Sequence, residues 1–172
     1  MLDRIRVAHH EAAHVVLALR SSAGLSEHGI DLDAPTTVED AYGIASVNVF
    51  DHDESVDEEQ QRALLINSLA IICAGAASDA KLRGSALWAS LRRQQGDRNA
   101  ALKLLTASPL IDATNKKEIV FVLRGTLKKT AQTLDDPAVW NEVKIVAQAT
   151  LDSGGRLTRS QIEQAVSSAT RT

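Results

Sequence analysis

Cys73 is the only cysteine in 172 residues, which excludes an internal disulfide framework and any cysteine-rich zinc module. Aromatic residues make up just 3% of the chain while alanine is abundant, so closely packed helices are expected rather than a large sheet. Neither charge sign is in large surplus. Nineteen Lys and Arg stand against 22 Asp and Glu, a net charge of −3, and no basic run gives an electrostatic case for nucleic acid or an acidic membrane surface. No apolar run reaches the roughly twenty residues of a membrane span. The longest, ALLINSLAIICAGAA from Ala63 to Ala77, contains Asn67 and Ser68 and has charged neighbours at both ends. It reads as a buried central helix with Cys73 as a core thiol. The G-x-x-x-x-G-K-[ST] pattern of a P-loop is missing as well, which excludes nucleotide binding of that kind. The first helical pattern starts at the N-terminus and leaves no room for a cleavable signal, so a soluble, cytoplasmic protein is expected.

What remains is ordinary globular composition, 44% hydrophobic and 24% charged, at a length that suits one domain over residues 1–172. Its most informative stretch is His10-Glu11-Ala12-Ala13-His14, a complete HExxH. On a helix the two histidines, four residues apart, project from one face and can share a tetrahedral Zn²⁺. Glu11, rotated by about 100°, can reach a water on that metal without ligating it. The context favours a helix: Ile5, Ala8, Ala12, Val16 and Leu19 recur at spacings of three and four, Asp3 is placed to cap, and neither Gly nor Pro interrupts Leu2 to Ser22. The competing reading is an amphipathic helix with two solvated histidines.

Beyond this helix, Ser21 to Gly29 reads as a loop, Gly29 to Asp33 as a short strand, and Tyr42 to Phe50 as the best strand of the chain, giving a sheet of two or three strands. Helices follow. Ser55-Val56-Asp57-Glu58 has capping-box form and opens a long helix ending near Gly84. Further helices are expected over Ser85 to Gln95, Asp97 to Ala107, and Ala113 to Leu134 with Ile119, Val122, Leu123, Leu127 and Ala131 inward. Another runs from Asp136-Pro137 to Gly154-Gly155, and a last one is capped by Thr158-Arg159-Ser160-Gln161. The expected fold is α+β and mainly helical: an HExxH helix of zincin type, one small sheet and a C-terminal helical bundle.

A catalytic zinc takes three protein ligands and keeps one position open. For the third, His9 lies on another face of the motif helix, while His28 and His52 fall in polar stretches where solvated surface is the simpler reading. Glu58 and Glu59 open the long helix, where the helix dipole already accounts for acids. Asp79 and Asp97 are the other possibilities.

The stretch VAHHEAAHVV resembles the zinc-site helix of the peptidase domain of the FtsH family, ATP-dependent membrane metalloproteases with the form A-x-H-E-A-G-H-A. Tyr42-Gly43-Ile44 is similar to the family's glycine-containing strand. Leu69 to Gly84 (LAIICAGAASDAKLRG) looks like its helix L-x-G-G-R-A-A-E-E-L-x-x-G, and the tail from Ala147 looks like its closing pair of helices. GDRNAALKLL, Gly96 to Leu105, resembles the segment carrying the family's third ligand, an Asp with Ala four residues on, matched by Asp97 and Ala101. The resemblance thus implies His10, His14 and Asp97 as zinc ligands and Glu11 as the base. The bland reading of Asp97 is a helix N-cap after Gly96. Asp79 matches an acidic family position and is either a residue orienting a ligand histidine or a surface acid. The chain departs from the family in Ala13 for Gly, Ala76 for Arg, and the absence of the ATPase module and membrane segments.

Two functions are expected to compete. One is a zinc metallopeptidase cutting peptides or unfolded protein segments, with a homo-oligomer or a separate ATPase chain as a conceivable partner. The other is a non-catalytic metal-binding interaction or regulatory module derived from the peptidase fold.

Overall fold

Small side chains let the helices of this protein pack closely around one long central member. The computed structural model describes residues 2–21, 25–35, 42–47 and 56–169. Helix α1 (Leu2–Arg20) carries the HExxH motif, and α2 (Glu58–Arg83) is the central helix. Around them lie α3 (Leu87–Arg93), α4 (Gln95–Ala107), α5 (Lys116–Asp135), α6 (Pro137–Asp152) and α7 (Arg159–Ala169). The fold is α+β and mainly helical, with one small sheet, as the composition leads one to expect.

Helix α2 packs against α1, α3, α4 and α5, and Leu65, Leu69, Ile71, Cys73, Ala74 and Ala77 on it are buried. Among the described residues it alone is long and apolar enough to cross a membrane, yet 72% of its most apolar window is buried inside the protein. Its ends follow from local chemistry. The Asp57 carboxylate accepts from the Gln60 backbone N–H at 2.8 Å, so the cap is Asp57, and Ser55 lies outside the described residues. Gly84 closes the helix in the left-handed region at φ 60°, a conformation that costs other residues energy.

The sheet is antiparallel in the order β2-β1-β3, with β1 at Leu25–Pro35, β2 at Tyr42–Val47 and β3 at Arg156–Leu157. Two expectations need correction here. Leu25 to Gly29 belongs to β1 and not to a loop. The register between Leu25 and Ile30 is irregular, so both are buried despite an odd spacing, and this bulge hides the period-two pattern. The strand β3 falls where only a helix end was expected, paired to Ile30 and Asp31. Of the expected strand at Tyr42 to Phe50, residues 48–50 lie outside the described region.

Helix ends also shift. Asp3 lies inside α1, not at its cap. Helix α5 starts at Lys116, because the Asn115 side chain accepts from the Glu118 backbone N–H, and α4 starts at Gln95, two residues before Asp97. Asp136 caps α6 with Pro137 at its first position. Thr158 and Gln161 exchange capping-box hydrogen bonds at 2.9 and 3.5 Å, as their spacing predicts. Arg20 forks both nitrogens onto Glu142 at 2.7 and 2.8 Å, tying α1 to α6.

On α5 the large residues divide sharply: Leu123 is 1% exposed and Phe121 79%. Leu123→Ala should therefore cost about 2–5 kcal/mol in chemical denaturation, while Phe121→Ala should stay within about 0.5 kcal/mol. Equal losses from both would place the α5 core face wrongly.

Candidate metal centre

His10 and His14 sit one turn apart on α1 and turn the same way, toward α2 and the start of α4. Their rings meet edge to face with centroids 4.9 Å apart, and both are buried. Asp97, in the first turn of α4, reaches them from the other side. His10 Nε2 lies 3.4 Å from Asp97 Oδ2, and His14 Nε2 lies 3.6 Å from Asp97 Oδ1. The three candidate ligand atoms fall within 4.8 Å of one another. Two atoms held about 2.0–2.1 Å from a tetrahedral zinc are separated by roughly 3.4 Å, close to both spacings. Asp97 Oδ2 is buried without a hydrogen-bond partner, an expensive arrangement for a carboxylate unless a cation shares the site. The N-cap of α4 is Gln94, which removes the cap explanation of Asp97. The donor set and its spacing fit a divalent zinc-like ion.

The outer nitrogens of the two imidazoles are addressed as well. His14 Nδ1–H donates to the Ile71 carbonyl of α2 at 2.7 Å, which turns Nε2 toward Asp97. His10 Nδ1 approaches Asp79 Oδ2 at 3.4 Å, near enough for attraction but not aligned as a hydrogen bond. Asp79 is 1% exposed, so it is no surface acid. Its Oδ2 accepts from Arg6 Nη1 at 2.9 Å and from Gln94 Nε2.

Gly75 on α2 faces the Nε2 tips of the two rings. A Cβ there would stand 2.5 Å from His14 Nε2 and closer still to His10, so no larger residue leaves room for both rings. Sequence reasoning found Asp79 but missed Gly75, Arg6, Gln94 and the Ile71 carbonyl. The small-residue run Ala74 to Ala77 was the available sign for Gly75; Gln94 gave none.

The remaining candidates go elsewhere. His9 donates through Nδ1–H to the Ile5 carbonyl at 2.8 Å and lies against Trp140. His28 is exposed on β1, and Glu58 and Glu59 are exposed, with Glu58 paired to Arg62. His52 lies outside the described residues.

Electrostatics follow from burial and crowding. Burial opposes a charge on His10, but Asp97, Asp79 and Glu11 outweigh it and hold the imidazole well above its ordinary 6.5. Asp97 and Asp79 are both lowered: burial works against their ionisation, and the histidines overcome it, helped at Asp79 by Arg6. Glu11 is raised, chiefly by burial, against the pull of His10 and His14. The Ala45 backbone N–H of β2 donates to the Glu11 carboxylate. Cys73 is pushed up to about 12 by burial and by Asp97, an inert thiol rather than a ligand.

No protein-family model matches the chain, and no curated protein matches it.

Two outcomes follow. Gly75→Ala should weaken zinc binding by at least the roughly 10–100-fold typical of disturbed supporting residues, read by chelator competition; unchanged affinity would mean that Gly75 does not wall the site. The second concerns protons. With its folded pKa raised, His10 stabilises the metal-free fold fully below about pH 6.5, a contribution lost as pH rises through the folded value. Ligation needs the neutral ring, so zinc binding at pH 7 should release protons, seen as buffer-dependent heat in calorimetry, and affinity should fall on acidification. Buffer-independent heats would refute this.

Proposed function

We propose that this chain is a zinc-dependent metallopeptidase in which His10, His14 and Asp97 hold the metal and Glu11 is the general base. The observation that carries the reading is the convergence of two imidazole Nε2 atoms and one carboxylate, from helices far apart in sequence, beside a buried glutamate. A zinc ion bound there would supply Lewis acidity, polarising a peptide carbonyl and acidifying a water. Glu11 would serve as the general base, accepting a proton from the attacking water and returning it to the leaving amine. Its raised pKa suits a group that must accept a proton and then give it up.

Substrate placement in this reading falls to β2. It is the last strand on its side of the sheet among the described residues, and its Ala45 touches Glu11. An extended peptide added along that edge would bring its carbonyls past the base. The substrates are peptides or unfolded protein segments, with a homo-oligomer or a separate ATPase chain as partner. The FtsH-family resemblance supports this reading through the HEAAH helix and the Asp97 segment.

The decisive contrast is between neighbouring residues. Glu11→Gln should keep zinc and fold while lowering peptide or casein hydrolysis by about 10²–10⁴-fold, and His14→Ala should lose metal and activity together. Zinc bound stoichiometrically without hydrolysis across broad substrate screens would favour the non-catalytic module. Equal cleavage by wild type and Glu11→Gln would assign the hydrolysis to something else.

A further inference from the structure

Gln94 occupies an unusual place. Its backbone closes α3 and opens α4 at φ −89° and ψ 83°, donating to the Leu91 and Ser90 carbonyls and accepting from the Arg98 N–H. An N-cap side chain ordinarily satisfies the free N–H groups of its own helix, and Gln is not among the residues favoured there. The Gln94 side chain makes no such bond. It crosses to α2 and donates through Nε2 to Asp79 Oδ2 instead, three residues before the candidate ligand Asp97.

Asp79 is thereby gripped at one oxygen only. Oδ2 holds the bonds from Gln94 and from Arg6, while Oδ1 is buried with no partner. His10 Nδ1, buried and without a hydrogen-bond partner as well, lies 3.4 Å from Oδ2, the oxygen already held. With Nε2 of that ring on a metal the proton sits on Nδ1, and a small shift of the Asp79 carboxylate would close a hydrogen bond to it.

From this arrangement we infer that Gln94 is a positioning residue for the metal centre, holding Asp79 so that its carboxylate fixes the tautomer and angle of His10. Because the same residue starts the helix that carries Asp97, it couples the placement of two ligands that arise on different helices. The inference rests on the metal-site reading above and adds to it a residue that touches no ligand atom. A merely structural Gln94 would join α3 and α4 to α2 and leave the state of the His10 ring alone.

The test compares Gln94→Met, which keeps length and bulk but no donor, with Gln94→Lys, which restores an N–H donor toward Asp79. Zinc affinity is measured by chelator competition, Co²⁺ absorption reports the ligand field, and ¹⁵N-edited NMR of the zinc-bound imidazoles reports each tautomer. Gln94→Met should bind zinc roughly 10–100-fold more weakly, the effect typical of losing an outer partner. It should also alter the Co²⁺ spectrum and perturb His10 Nδ1 while leaving His14 Nδ1 in place. Gln94→Lys should recover most of the affinity. Wild-type affinity and an unchanged His10 resonance in Gln94→Met would overturn the inference, as would equal disturbance of both histidines with a loss of thermal stability. A wild-type chain that takes up no zinc would instead overturn the metal-site reading itself.

Discussion

Helices α1 and α2 touch side chain to backbone in both directions, and that closeness governs the rest. His14 donates to the Ile71 carbonyl, and Ser78 Oγ donates to the His9 carbonyl at 3.2 Å. Such contacts need thin surfaces. Ala8, Ala12 and Ala13 on one helix and Ala74, Gly75 and Ala77 on the other are all buried, so neither backbone is held off by long side chains. A carbonyl already engaged in its own helix has a second lone pair, and α2 lends one to a histidine. The core and the candidate site are therefore one packing problem: the Gly75 that lets the helices meet also makes space for two imidazoles.

Opposed electrostatic demands meet in the same small volume. Burial disfavours every charge on His10, Glu11, Asp79 and Asp97, yet the acids favour the charged form of His10, and the imidazoles nearby favour the ionised forms of Asp79 and Asp97. Glu11 is the exception, where burial prevails. Two carboxylates held low and a third held high, gathered around one motif from three helices, is the separation expected where ligand and base must differ in proton affinity. His10 and Arg6 keep Asp79 ionised, and Gln94 holds its carboxylate in place.

Much of this was legible in the sequence, for identifiable reasons. The spacing of His10 and His14 fixes their common face once a helix is granted, and Gly84, Asp136-Pro137 and Thr158 announce helix ends through local chemistry that tertiary context did not override. Asp97 was reached through the motif resemblance, because nothing in its own neighbourhood distinguishes it from a cap. Leu25 to Gly29 was misread because a bulge breaks the alternation, and β3 because two residues carry no periodic signal. Gln94 was invisible for a different reason. Its partner lies on another helix, and the residue type is ordinary; only the unused cap betrays it.

The wide separation of the candidate ligands along the chain has its own consequence. His14 and Asp97 bracket β1, β2, α2 and α3, so an ion bridging them would close a loop of about eighty residues and act as a cross-link between α1 and α4. Closing so long a loop carries an entropic cost in the unfolded chain, and a ligand that binds only the folded state stabilises it by mass action. Helix α4, whose buried residues are Ala101 and Leu105, would be held more firmly by such a tether. Metal supply would then act as a clock on the protein's survival, with the metal-starved chain the one that proteolysis removes first.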